Sequence, residues 1–218
     1  MAHDDFDFEP IRGLPAHLPE GEKIIWQGAP DFVGLAIRAF HVRKVALYFA
    51  ALILLRFVAA YFGGQDIYPA FNYAIGVLPL ALAAIGILSL IAWGYARTSV
   101  YTLTNKRFVL RSGIAMPITL NLPLSHVDSV ALRLFGDGSG DIPLSIRKTE
   151  RVAALVVWPH MRPWTWGHPQ PMLRSVPDAE HLAGQVKALL AGEQLPARAP
   201  AMQAAAPAPQ AGINALHA

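Results

Sequence analysis

The sequence predicts an α+β membrane protein, a two-helix transmembrane hairpin inserted into a small antiparallel β-barrel or sandwich that carries a C-terminal helix. Three observations predict it. Two long apolar stretches, residues 45–62 and 72–96, stand close together, the first interrupted once by Arg56 and the second free of charge. After them the pattern changes to short alternating runs separated by turn residues. Basic residues gather on both flanks of the apolar pair, and the segment joining its halves has none.

Composition narrows the function classes. The chain is 54% hydrophobic and 15% charged, a bias that the two apolar stretches largely explain. It has no cysteine, which excludes disulfides, thiolate chemistry and Cys-ligated zinc or iron–sulfur sites. The net charge of +3 comes from basic residues beside the hairpin, where anionic lipid is a simpler partner than nucleic acid. The acidic start (Asp4, Asp5, Asp7, Glu9) argues against a cleavable leader.

Residues 1–21, acidic and then rich in Pro and Gly, form an extended arm whose Phe6, Phe8, Ile11 and Leu14 are available to dock on a partner or on the chain's own domain. Residues 22–30 supply the first strand, ended by Gly28-Ala29-Pro30. In residues 31–44, Asp31 is placed to cap a helix. Phe32, Leu35, Ala36, Ala39 and Phe40 share one face of it. This reads as an amphipathic lead-in on the inner leaflet, or as a cytoplasmic extension of the first span.

Residues 45–62 and 72–96 are the two transmembrane helices. At about 1.5 Å per residue each crosses a hydrocarbon core of about 30 Å, the first only just. Such runs are too long and too unpatterned for half-buried helices of a soluble core. Pro79 is expected to bend the second span. Residues 63–71 form a periplasmic loop. Arg38, Arg43 and Lys44 before the hairpin and Arg97, Lys106, Arg107 and Arg111 after it place both termini in the cytoplasm. Tyr61, Phe62, Tyr68, Phe71 and Tyr73 suit the outer headgroups, and Trp93 and Tyr95 the inner ones.

Residues 97–192 form the cytoplasmic domain. Residues 100–104 and 107–111 read as a hairpin turning at Asn105-Lys106. Alternating runs follow around Ile118–Leu124, Val130–Leu134 and Ile142–Ile146, and residues 151–158 read as a last strand. The prolines of 159–171 forbid regular structure. Ser175 is expected to cap a helix whose apolar face is Ala179, Leu182, Val186, Leu189 and Leu190, stopped by Gly192. Residues 193–218 are a disordered tail on composition.

The candidate partner-binding residues are Arg56, Trp158, His160, Arg162, Trp164 and Trp166. An intramembrane arginine is costly and calls for a partner, a role or a route to the headgroups. Exposed Trp and Arg are favoured interface anchors, and the alternative for the loop at 158–166 is packing against the domain. His160 and His168 raise a metal or a chlorophyll magnesium as a further alternative, but no third ligand is near in sequence, so no metal or cofactor site is assigned. Ser125, His126 and Asp128 have the residue types of a hydrolase triad without a nucleophile elbow, and Gly136–Gly140 lacks the lysine and following helix of a phosphate loop, so no enzyme is expected.

Seven strands and one C-terminal helix suggest a pleckstrin-homology-like domain, and Glu22-Lys23-Ile24-Ile25-Trp26-Gln27-Gly28-Ala29-Pro30 with Tyr101-Thr102-Leu103-Thr104-Asn105-Lys106-Arg107 resembles its bacterial membrane-associated form. Asp5-Phe6-Asp7-Phe8-Glu9-Pro10-Ile11, Pro117-Ile118-Thr119-Leu120-Asn121-Leu122-Pro123, Gly138-Ser139-Gly140-Asp141-Ile142, Trp158-Pro159-His160-Met161-Arg162-Pro163-Trp164 and Pro171-Met172-Leu173-Arg174-Ser175-Val176-Pro177 resemble the PuhB family of photosynthetic complex assembly proteins of purple bacteria. The resemblance implies a non-enzymatic assembly factor anchored in a bacterial inner (intracytoplasmic) membrane, which binds reaction-centre and light-harvesting 1 subunits. Membrane lipid, from the basic flanks of the hairpin, and a second copy of the chain are the other partners considered. The alternatives are a generic lipid- or protein-binding membrane module and a pigment-handling membrane protein.

Overall fold

In the computed structural model, residues 11–147 and 152–197 are described. The chain enters through β1 (Ile24–Gly28), passes a short helix α1 (Phe32–Gly34) that continues as a wider π turn over Leu35–Ala39, and then runs into α2 (Val42–Phe62), α3 (Ile67–Ile75) and α4 (Leu78–Thr98). After α4 come β2 (Val100–Thr104), β3 (Arg107–Ser112), β4 (Ile118–Pro123), β5 (Val127–Val130), β6 (Arg133–Leu134) and β7 (Gly140–Ile146). A short helix α5 (Ala154–Val157), strand β8 (Met172–Val176) and helix α6 (Ala179–Leu190) complete it.

Two antiparallel sheets share one core. The first has the order β1-β2-β3-β4; in the second, β7 pairs with β5, β6 and β8. The strands do not close into a barrel, so the sandwich half of the sequence expectation holds. Ile25, Leu103, Phe108, Leu110, Ile142, Leu144 and Leu173 meet between the sheets, with Leu182 and Val186 of α6 packed onto the same cluster. β1 pairs with β2, with Gln27 opposite Thr102, so the helical hairpin is inserted between two neighbouring strands and both of its ends return to one edge of the sandwich. Glu22 fixes that junction: its Oε1 accepts from Thr104 Oγ1 at 2.8 Å and from Arg107 Nε at 2.7 Å.

The arm from residue 11 lies on this sheet. Leu14 is buried, and the Gln27 side chain donates to Arg12 O at 2.7 Å. Gly13 has φ +79, and a Cβ there would meet the Val100 side chain, so the close approach requires glycine. Phe6 and Phe8 lie outside the described residues, as does most of the tail.

The hairpin differs from its sequence reading in three ways. The lead-in does not extend the first span: it ends at His41, which takes φ 55 and turns the chain before α2. Part of its apolar face is covered within the chain. Leu35 and Ala36 pack with Ala92, Tyr95 and Ala96 of α4, leaving Phe32, Val33 and Ile37 exposed. The loop is shorter than expected, because Ile67–Ile75 is helical. Pro69 falls in the first turn of α3, where its missing N–H costs nothing. Finally, Pro79 does not bend a continuous helix. It has no N–H for the Ile75 carbonyl, so α3 stops and α4 starts with the proline in its own first turn.

The two candidate spans are Val42–Phe62 and Ile67–Thr98, and only 6% and 11% of their most apolar windows are buried by the rest of the chain, so neither is a core helix. They are long and apolar enough to cross a membrane. Where they touch, small side chains do so: Ala60, Ala70, Ala74 and Ala81 are buried.

In the sandwich, Asn105-Lys106 turns the β2–β3 hairpin, with Leu103 opposite Phe108. The expected strand at 151–158 is instead the short helix α5; Val157 is buried while Leu155 is 85% exposed. The missing strand is β8. Ser175, expected to cap α6, is buried within it at φ 46, and Asp178 holds the cap position. The α6 face is otherwise as the spacing indicates.

Candidate functional site

The loop at 158–166 leaves α5 and returns as β8. Its stem is ladder-like: Met161 bridges to Pro171, Arg162 N–H donates to Gln170 O at 2.9 Å, and Met172 N–H donates to His160 O at 2.9 Å. At the tip, Thr165 Oγ1 donates to Arg162 O at 2.7 Å, and Trp164 takes φ 66. The stem thus pins both ends while the tip turns outward. Trp164 is 92% exposed and Trp166 64% exposed, and Arg162 beside them is exposed with its guanidinium on Gln170 Oε1 at 3.3 Å.

Trp158 is half exposed. Its ring meets Phe40 at 5.8 Å and Tyr95 at 5.7 Å, both edge to face, so it ties the loop base to the lead-in and to the end of α4.

His160, expected on the docking surface, is not a surface residue. It is fully buried, with Nδ1 at 2.6 Å from Tyr101 Oη and Nε2 at 2.9 Å from Ser99 Oγ. Ser99 Oγ in turn lies 2.9 Å from Ser112 Oγ, and Tyr101 Oη accepts from Arg174 N–H at 3.2 Å. The assignment that gives each shared hydrogen one owner runs from Arg174 N–H to Tyr101, from Tyr101 O–H to Nδ1, and from Nε2–H to Ser99. Burial, helped by the nearby Arg174 charge, pushes the His160 pKa down to about 3. Burial also raises that of Tyr101. A neutral imidazole with both nitrogens engaged is a packing residue and leaves no lone pair for a metal. His168 has Nε2 3.2 Å from Ile146 O, and the described residues hold no cluster of three or more His, Asp or Glu able to ligate a metal.

Arg56 lies elsewhere, on α2. Its Nη2 donates to Tyr73 O at 2.8 Å, and its guanidinium sits 4.0 Å from the centre of the Tyr73 ring. Tyr73 belongs to the last turn of α3, whose carbonyls run out of helical donors. Arg56 therefore caps the break that Pro79 creates, inside the chain.

Beside the loop is a cavity of about 530 Å³ that sequence reasoning missed. Its walls come from the lead-in (Ile37, Arg38, His41), the first turn of α2 (Lys44), the second sheet (Arg133, Asp141, Arg174) and the loop (Arg162, Pro163). Arg38 fastens the lead-in to the turn at 136–140: it donates to Ser139 Oγ at 2.8 Å, pairs with Asp137 at 2.9 Å, and lies 3.6 Å from the centre of the Phe135 ring. Hydrogen bonds from Ser139 and Arg38 hold the Asp137 carboxyl down at about 2. Arg174 is 7% exposed; it donates to Met161 O at 3.1 Å and Arg38 O at 3.4 Å, and its Nε has no partner. These residues are scattered from 37 to 174, so no local spacing reveals them.

Two sheets with a helix packed on their shared core, interrupted between the first two strands by a long apolar hairpin, define a pleckstrin-homology-like module carried on two helices. The chain belongs to the bacterial PH domain family, whose model matches residues 45–190. It is 40% identical over 189 residues, 84% of this chain and 86% of the relative, to a Rhodobacter capsulatus protein described as an uncharacterized 23.7 kDa protein in the puhA 5' region. No solved structure matches.

Proposed function

We propose that this protein is a non-enzymatic, membrane-anchored assembly factor of the PuhB type, which binds subunits of the photosynthetic reaction centre and light-harvesting 1 complex through its loop at 158–166. The carrying observation is the pair of exposed tryptophans, Trp164 and Trp166, beside Arg162 on a hydrogen-bonded stem. Two large rings held outward by an ordered stem lose little entropy on docking, and Arg162 is suited to a carboxylate on the partner. The puhA-region location of the 40% identical relative supports a photosynthetic role. The hairpin sits in the inner (intracytoplasmic) membrane with the sandwich on the cytoplasmic side, consistent with basic residues at both of its ends.

The test is Arg162→Ala with Trp164→Ala in cells growing photosynthetically. Both side chains are exposed, so the variant is expected to accumulate in membranes at the wild-type level while affinity for the partner falls about 30-fold or more, as removal of an interface hot spot costs about 2 kcal/mol or more, and reaction-centre absorbance falls with it. Normal abundance with normal absorbance sinks the docking role. Low abundance assigns the loop to packing instead.

A further inference from the structure

The turn between β3 and β4 is apolar, exposed and unused by the docking role. Ile114, Ala115, Met116 and Pro117 follow one another, and all four are exposed, Met116 at 77%. No Asp, Glu, Lys or Arg occurs between Arg111 and Asp128. An apolar projection of this kind marks contact with a membrane or a partner.

Topology decides what it meets. β2 leads away from the end of α4 and β3 returns antiparallel to it, so that Arg111 lies opposite Val100. The chain is then back at the level where α4 ends, and Ser112 Oγ lies 2.9 Å from Oγ of Ser99, the residue that caps that helix. The turn continues beyond this level. Ile114 lies against α4 at Gly94, where a Cβ would meet Ile114 Cδ1 at 2.8 Å. Gly94 precedes Arg97, the one charged residue of α4, by about 4.5 Å along the axis. Next to it is the exposed Trp93, whose ring centre lies 5.3 Å from the Arg97 guanidinium. An aromatic ring beside a terminal cation is how a spanning helix meets the headgroups. The tip therefore reaches the apolar side of that boundary, where acyl chains surround the helix.

We propose that the β3–β4 turn, residues 113–117, is a wedge that enters the acyl-chain edge of the leaflet nearest the sandwich, with Ile114 and Met116 as the inserted side chains. Its partner is hydrocarbon rather than a headgroup, since the tip carries no cation and no polar side chain. With the start of α2 and the end of α4 it gives the sandwich a third point of attachment, so the domain does not pivot about the hairpin. The proposal rests on the membrane-anchored part of the proposed function and not on the photosynthetic part.

The chain has no cysteine, so single fluorescent probes can be placed in it. Met116→Cys, Leu90→Cys and Ser125→Cys, each labelled with the same environment-sensitive dye, are reconstituted as full chains at high dilution in phosphatidylcholine vesicles. Leu90 is exposed on α4 and reports the span. Ser125 is exposed beyond the far end of β4, about 17 Å or more from the tip, and reports water. A nitroxide on the upper acyl chain is expected to quench the Met116 probe to at least about half the extent of the Leu90 probe, and iodide on both sides to reach it about threefold less than the Ser125 probe, for insertion of about 5–10 Å. Ile114→Asp in the Met116 probe chain is expected to lower nitroxide quenching about twofold or more, because a carboxylate resists that level. Unchanged quenching there means that the dye rather than the turn enters, and overturns the proposal. A Met116 probe open to iodide and silent to the nitroxide overturns it as well. One shielded from both assigns the tip to a protein contact, from this chain or a second copy, and also overturns it. A Leu90 probe silent to the nitroxide refutes the anchor and the wedge together, whereas a quenched Leu90 probe with an unquenched Met116 probe refutes the wedge alone.

Discussion

His160 makes the sandwich acid-sensitive, and the effect has a definite sign and size. In the unfolded chain its imidazole takes up a proton near pH 6.5; in the folded protein burial defers that uptake to about 3. Between those values the unfolded state holds one proton more, so stability is complete above pH 6.5 and is lost as pH falls towards 3. The slope in that window is about 1.4 kcal/mol per pH unit, which gives about 2 kcal/mol between pH 7.5 and pH 5. For a domain of this size that is a fall of about 4–8 °C in melting temperature. The geometry explains why the site does not accommodate the proton. A second N–H on the imidazole would face the Tyr101 hydroxyl, which already donates to it, and the new charge would join that of Arg174 in a buried region. Melting curves of the full chain in detergent, followed by tryptophan fluorescence at both pH values, measure the drop. His160→Gln keeps a donor and an acceptor but cannot titrate. It is expected to be less stable at pH 7.5 and to lose about 2 kcal/mol less than wild type on acidification. Equal losses in the two proteins would refute the reasoning, because the acid sensitivity would then come from other groups.

Two further substitutions probe the hairpin and its seat. Gly34→Ala drives a Cβ into both Cβ and Oγ of Ser175, and is expected to destabilise by about 1–3 kcal/mol, seen as a lower melting temperature. Ser175→Gly in the same chain removes both obstructing atoms and suits the φ of 46, so partial recovery is expected; none would mean that the lead-in does not sit on β8. Arg56→Leu leaves the Tyr73 carbonyl without its cap, and amide exchange in Ile67–Ile75 is expected to speed up about tenfold or more while α4 is unchanged. Unaltered exchange in α3 would show that Arg56 is dispensable to the break.

The large divisions of the fold are legible in the sequence because they rest on composition and period. The apolar stretches, the β2–β3 turn at Asn105-Lys106 and the α6 face belong to this class. What resisted were elements whose identity depends on distant partners. Residues 152–157 are an apolar run of a length that suits strand or helix equally, and only the burial of Val157 against exposed Leu155 settles it. Residues 172–176 carry a serine in capping position and an arginine, which disguise a fully buried strand. Its register on β7 supplies what the local signal hides: Met172 faces Pro143 and Leu173 faces Ile142. The candidate site divides in the same way. The exposure of Trp164 follows from the local chemistry of a Pro-rich loop. The burial of His160 does not, since the hydroxyls of Ser99 and Tyr101 that satisfy it lie about sixty residues earlier in the chain.

The loop and the hairpin are mechanically joined, and one side chain does much of the joining. Arg174 donates to the carbonyl of Arg38, in the lead-in, and to that of Met161, in the loop stem. The Asp31 N–H donates to Ser175 O at 3.0 Å, one residue along the same strand, and Arg38 locks the lead-in to Asp137 and Ser139 on the neighbouring turn. Trp158 closes the circuit by packing on Phe40 and Tyr95. Together these contacts fix the direction of the loop relative to the first turn of α2. Trp164 and Trp166 are therefore presented at a set height and angle to the hairpin rather than on a tether. Under the proposed docking in the plane of a bilayer this matters more than added contact area. A partner already confined to the same plane has lost most of its translational and rotational freedom, so a small, rigid, correctly aimed surface is enough for a stable encounter.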